Sequence, residues 1–149
     1  MNRTASGRYV SPHEVTAAWS AGPSDRTVRV ALDAMGGDHA PDEVVKGALE
    51  AAGERLEVVL VGDEARVGRL LPADARHIDL VHAPDVVSFH DEPVSAARKK
   101  TDSSLVVGMK LVREGRADAF VSAGNTGAVV AASLLYVHRI RGVQRPAIC

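Results

Sequence analysis

The sequence predicts an α/β fold, a three-layer sandwich in which a mainly parallel sheet is covered by helices on both faces. Three observations lead there. Strand-like and helix-like segments alternate from Thr27 onward. The run Val58-Val59-Leu60-Val61 is apolar on both of its faces, as a strand covered from both sides must be. Several strands end in small or polar residues: Asp33 with Gly36 and Gly37, Gly62 with Asp63, His82, and Ser122 with Gly124. In this architecture helices connect parallel strands, and ligands bind in the crevice beyond the strands' carboxyl ends.

The elements follow in order. Val28, Val30 and Leu32 alternate with Arg29 and Ala31 as a strand that stops at Asp33. Pro41 suits the first position of a helix, Asp42 and Glu43 suit its positive dipole end, and Val45, Ala48, Leu49 and Ala52 form an apolar stripe closed by Gly53. The strand through Val61 ends at Gly62-Asp63-Glu64, before a short helix that stops by Pro72. Ile78, Leu80 and His82 begin the next unit. Pro93 opens a short helix through Lys100, and Asp102 or Ser103 caps a longer one that runs through Glu114 to Gly115, with Leu105, Val106, Met109 and Val112 on its inner face. Ala119 to Val121 is a strand, and a helix from about Gly127 to His138 follows.

Residues 1–26 mix Ser, Thr, Arg, Gly and Pro without sustained period and read as a flexible tail, in which Val15, Ala17, Ala18 and Trp19 could form one docking turn. Residues 27–149 read as the N-terminal portion of an α/β domain, incomplete at the C-terminus because Arg145-Pro146-Ala147-Ile148-Cys149 resembles a strand just beginning.

Composition limits the function. With 18 basic and 19 acidic residues the net charge is -1, so no global field recruits nucleic acid or an anionic membrane, and any anion site must be local. The single cysteine, Cys149, excludes an internal disulfide and a multi-cysteine zinc site, which fits a reducing cytoplasm. No apolar run approaches a membrane span, and the first residues lack a signal-peptide core.

The segment Phe120-Val121-Ser122-Ala123-Gly124-Asn125-Thr126-Gly127-Ala128 carries the most chemistry. An apolar strand enters a small polar turn and then an Ala/Val-rich helix. Gly124 and Gly127 let the backbone approach a ligand closely. The free amides of the helix start point into the turn with the positive end of the dipole, and Ser122, Asn125 and Thr126 add hydrogen-bonding side chains. The plainer alternative is a turn whose Asn or Thr only caps its helix. A second anion candidate is Arg98-Lys99-Lys100 with Thr101-Asp102-Ser103-Ser104, which could equally be a solvated charge run.

Other signatures are absent. Neither glycine turn supplies Gly-x-Gly-x-x-Gly, so a nicotinamide cofactor is not expected. There is no Gly-Lys-Ser/Thr loop, and Ser122 lacks the Gly-x-Ser-x-Gly frame of a nucleophile elbow. Asp33, Asp38 and Asp63 could gather around magnesium but more simply cap helices, so no metal is expected. Of the six histidines, His39 and His82 are placed where chemistry could use them.

Together, several stretches resemble one family. Val30-Ala31-Leu32-Asp33-Ala34-Met35-Gly36-Gly37-Asp38-His39-Ala40-Pro41 is similar to the opening signature of the PlsX phosphate acyltransferases. Val61-Gly62-Asp63-Glu64, His82-Ala83, Asp91-Glu92-Pro93, Arg98-Lys99-Lys100, Asp102-Ser103-Ser104, Ser122 to Ala128 and Gly142 to Ile148 follow in the family's order. Phe89 and Val137-His138 depart from the pattern locally, and family chains continue well past Ile148.

The resemblance implies a fold like that of isocitrate and isopropylmalate dehydrogenases or of phosphotransacetylase. It implies transfer of a fatty acyl group from acyl-carrier protein to inorganic phosphate, making acyl phosphate for phospholipid synthesis without a cofactor. Phosphate is then the nucleophile, and no side chain need be acylated. Gly124, Asn125, Thr126 and Gly127, with Ser122, are expected to bind phosphate or the thioester oxygen, and Gly36, Gly37, Asp38 and His39 to form the opposite lip. Arg98 and Lys100 are the expected local charges, Asn125 and His39 the groups nearest the chemistry, and His39 a proton donor to the leaving thiolate. The acidic carrier protein would seek a basic surface such as His138, Arg139, Arg141 and Arg145. A homodimer, cytoplasmic placement and peripheral contact with the membrane or a membrane acyltransferase are also implied. Two rivals remain: a phosphate acetyltransferase-like enzyme using a coenzyme A thioester, and a fragment that binds phosphate without catalysis.

Overall fold

The structure, a computed structural model, describes residues 26–144. The expected tail and the expected strand at Arg145 to Cys149 lie outside the described residues, Arg26 excepted.

The elements are β1 (Val28–Asp33), α1 (Asp42–Ala51), β2 (Leu56–Gly62), α2 (Glu64–Gly68), β3 (Ile78–His82), α3 (Pro93–Lys99), α4 (Ser104–Arg113), β4 (Ala119–Val121) and α5 (Thr126–Ala132), the last running into a π-helical turn at Ser133–Val137. The four strands are all parallel, in the order β3-β2-β1-β4. β1 is therefore interior, with Val30 opposite Val58 on one side and Ala119 on the other.

Alternation along the strands sends successive side chains to opposite layers. Leu32, Val58 and Leu60 pack with Val45 and Ala48 of α1 and Val67 of α2. Ala31, Val59 and Val61 pack with Val107 and Leu111 of α4. The third cluster joins α3, α4 and α5 through Ala97, Leu105, Val106, Met109, Ala128 and Ala132. Helices thus cover both faces, as the double-sided apolar run of β2 requires. A wholly buried Leu or Val, such as Leu60 or Val61, contributes about 1.5–3 kcal/mol relative to exposure.

Small residues let the layers approach. A Cβ on Gly108 of α4 would lie 2.3 Å from the Phe120 ring. Ser103, not Asp102, caps α4, its hydroxyl accepting from the Val106 amide at 3.4 Å. Gly115 follows that helix with φ +69.

Three expectations need correction. Pro41 is the residue before α1 and not its first helical residue. Leu49 is 36% exposed, because the buried stripe of α1 is narrower than the hydrophobic spacing implied. The last helix does not continue as an α-helix to His138. The Ser133 hydroxyl donates to the Val130 carbonyl at 2.8 Å, and the His138 amide reaches five residues back to Ser133. Such competition for carbonyls widens the final turn.

Candidate functional site

The site begins with an acid at the end of an interior strand. Asp33 is 3% exposed. Its Oδ1 accepts from the Met35 amide at 3.1 Å, and its Oδ2 accepts from the Ser122 hydroxyl at 2.8 Å. Ser122 Oγ in turn accepts from the Gly124 amide at 3.0 Å. The relay locks the turn after β1 to the turn after β4. Only glycine fits the seam: a Cβ on Gly36 would lie 2.5 Å from Asp33 Oδ2 and 2.9 Å from Ser122 Oγ, and one on Gly124 would lie 3.3 Å from the Gly36 Cα. Gly37, at φ +109, adopts a conformation that side chains rarely tolerate.

Around this seam, donors are left over. Among the described residues, the backbone amides of Gly36, Gly37, Asp38 and His39 have no acceptor, nor do those of Asn125, Thr126 and Gly127. The Thr126 hydroxyl is likewise exposed and unbonded. Two adjoining turns with surplus N–H groups suit an anion, since unpaired amides in such turns attract negative charge.

Asn125 is buried, and all of its side-chain polar atoms are engaged. Oδ1 accepts from the Ala128 amide at 3.0 Å and caps α5, while Nδ2 donates to the carbonyls of Ser88 at 3.2 Å and Asp91 at 3.4 Å. The structure thus gives this side chain a capping and bridging role, and its amide N–H remains available. On the opposite side, Pro93 abuts Gly127, where an added Cβ would lie 2.9 Å from the proline Cγ. The capping reading and the cradle reading of this turn are compatible, because the cap uses side-chain atoms and the cradle uses backbone amides.

The expected cations lie further out. Lys100 Nζ donates to the Val86 carbonyl and pairs with Asp91, both at 2.8 Å. This hydrogen bond, with further help from the Ser88 amide, holds the Asp91 carboxyl below its ordinary range. Lys100 thereby supports the loop that Asn125 grips. Arg98 is exposed in the last turn of α3, five residues from Pro93 and so about 7.5 Å further along the helix axis.

The opposite lip divides. Gly36 and Gly37 meet the Ser122 turn, whereas the exposed side chains of Asp38 and His39 line a recess with Ala40, Asp42 and Glu43 that no residue of the Gly124 turn lines. Three carboxylates there disfavour an anion. His82 and Asp63 both serve the start of α2, accepting from the Glu64 amide at 3.2 Å and the Arg66 amide at 2.8 Å. Among the described residues no three His, Cys, Asp or Glu side chains gather as a metal site, and no helix is long and apolar enough to cross a membrane.

Sequence reasoning missed the strut made by Asp33 and the loop Ser88 to Asp91. An acid ending the apolar run Val30-Ala31-Leu32 was a signal for the first. Nothing in the spacing signalled that Asn125 reaches the second.

Fold and site define a parallel α/β domain that presents paired glycine turns at the carboxyl ends of neighbouring strands. The chain belongs to the fatty acid synthesis protein family, which it matches over residues 28–149, and the PlsX resemblance read from the motifs is borne out. It is 53% identical over 124 residues to a phosphate acyltransferase of Desulforamulus reducens, covering 81% of this chain and 37% of that one. Corresponding values are 55% over 126 residues for the phosphate acyltransferase of Heliobacterium modesticaldum, at 81% and 38% coverage. For that of Levilactobacillus brevis they are 54% over 122 residues, at 80% and 35%. The chain therefore spans little more than a third of these curated relatives.

Proposed function

We propose that this chain provides the phosphate-holding turns of an enzyme that transfers a fatty acyl group from acyl-carrier protein to inorganic phosphate. The observation that carries this reading is the Asp33–Ser122–Gly124 relay, which joins two turns bearing unpaired amides. A dianion seated there receives hydrogen bonds from the amides of Asn125, Thr126 and Gly127 and from the Gly36–Gly37 side, while the Gly124 amide stays on Ser122 Oγ. Its oxygen attacks the thioester carbonyl, forming a C–O bond and a tetrahedral oxyanion. Collapse breaks the C–S bond, giving acyl phosphate and the carrier thiolate, which takes a proton from water; the proton-donor role that the resemblance implies for His39 would require its side chain to leave the recess it lines with Asp42 and Glu43.

Preorganised amides stabilise the growing negative charge, each contributing about 3–4 kcal/mol where single donors have been removed elsewhere. Orientation of phosphate against the thioester supplies a further share. Asn125 acts as a positioning residue. Arg98 is an uncommitted cation in the last turn of α3, and Lys100 acts through the Ser88–Asp91 loop.

The finer parts of this reading rest on family resemblance: the carrier-protein donor, a basic docking cluster of His138, Arg139, Arg141 and Arg145, a homodimer, and cytoplasmic placement with peripheral contact to a membrane or membrane acyltransferase. The test is formation of phosphate-dependent acyl phosphate, trapped with hydroxylamine, from acyl-carrier protein against acetyl-coenzyme A. Product from the carrier substrate supports the proposal, and product only from acetyl-coenzyme A overturns it. In parallel, ³¹P line broadening of orthophosphate by the chain reads binding alone, and its absence removes the cradle.

A further inference from the structure

Phe89 stands out beside the glycine turns. It is one of only two phenylalanines in the chain, yet it is 56% exposed, and nearby Val94 at the start of α3 is 45% exposed. Their backbone is held firmly. Asn125 Nδ2 donates to the carbonyl of Ser88, the residue before Phe89. Asp91 accepts from the Ser88 amide at 2.7 Å and from Lys100, and Glu92 caps α3 through the Val94 and Ser95 amides. An apolar ring on a tightly tied loop, one residue from a group bonded to Asn125, is positioned rather than left over.

We propose that Phe89 and Val94 form the platform for the apolar acyl chain of the thioester, beginning where its carbonyl meets the Gly124–Gly127 turn. This rests on the function proposed above and adds the residues that read the acyl group. Two features favour a linear chain over a protein partner. Ser88, next to Phe89, bonds Asn125, and Pro93, next to Val94, lies against Gly127, so both apolar residues sit one position from the groups that touch the turn where the reacting carbonyl must lie. The patch is also small: an aromatic side chain offers roughly 150–250 Å² in all, against the ~800 Å² that each partner of a stable complex contributes.

The test measures affinity of the full chain for acetyl-, butanoyl-, hexanoyl- and octanoyl-coenzyme A, used as thioester probes, by titration calorimetry. Half-burial of the acyl chain gives about a twofold gain per methylene. Phe89→Ala is expected to flatten that gain and Phe89→Leu to keep most of it, with circular dichroism checking that both variants fold. An equal slope in the parent and Phe89→Ala, or a flat slope in the parent, overturns the inference. So does a concentration-dependent dimer that Phe89→Ala dissociates, which would give the patch to a second copy. Orthophosphate binding to the parent separates the levels: if it fails, the proposed function fails, whereas phosphate binding with a flat slope removes only the acyl platform.

Discussion

The Ser122 hydroxyl donates to the Asp33 carboxylate at 2.8 Å across 89 positions of sequence. Through that bond the ends of β1 and β4 become one polar junction, and both glycine turns inherit its geometry.

Removing the acid should therefore cost both stability and binding. Asp33→Ala leaves the Met35 amide and Ser122 hydroxyl without their acceptor, and about 1–3 kcal/mol is expected for each group stranded away from water. Asp33→Asn keeps one acceptor oxygen and should lose less. Urea unfolding at 25 °C ranks the two, and equal stability of Asp33→Ala and the parent would refute the strut.

Gly36→Ala places a methyl 2.5 Å from Asp33 Oδ2. Relieving that overlap is expected to cost about 1–3 kcal/mol and to abolish orthophosphate broadening. Gly47→Ala is the control, since nothing lies within 4 Å of its added Cβ in the middle of α1. It should stabilise by about 0.5–1 kcal/mol.

The Lys100–Asp91 pair sets an acid limb. The folded Asp91 carboxyl lies below its ordinary value of 3.8, chiefly because Lys100 donates to it. A depressed folded value means that the contribution is fully present above the ordinary value and is lost as pH falls below it. Thermal midpoints from pH 6 to pH 2.5 should show the drop below about pH 4, and Lys100→Met should flatten that part of the curve. An unchanged curve in Lys100→Met would exclude the pair as its origin.

Asn125 separates capping from bridging. Asn125→Asp keeps the acceptor for the Ala128 amide but loses the donor to Ser88 and Asp91, whereas Asn125→Ala loses both. Loss of the cap should cost about 1 kcal/mol, so Ala should be the less stable variant. Amide hydrogen exchange across Ser88 to Asp91 should quicken in both. Slow exchange there in Asn125→Asp would mean that the loop stands without this side chain.

Most of the fold could be read from local pattern, and the reason is physical. The two-sided apolar run of β2, the Pro93 and Ser103 helix starts and the Gly115 stop are each decided within a few residues. The site was legible only as turns. That Gly36 and Gly124 lie against each other follows from β4 joining the sheet beside β1, a long-range choice that no local spacing encodes. The engagement of Asn125 and Lys100 with the Ser88–Asp91 loop was hidden for the same reason. The end of α5 was misjudged because Ser133 diverts a carbonyl, a single hydrogen bond that apolar periodicity does not register.

Among the described strands, the one that leaves the ribosome first ends up between two younger neighbours. β1 can zip to β2 early, but its other edge waits until translation has passed Val121. Closing so distant a pairing is slow compared with local zipping, so the junction that would seat phosphate takes shape after the β1–β2 pair.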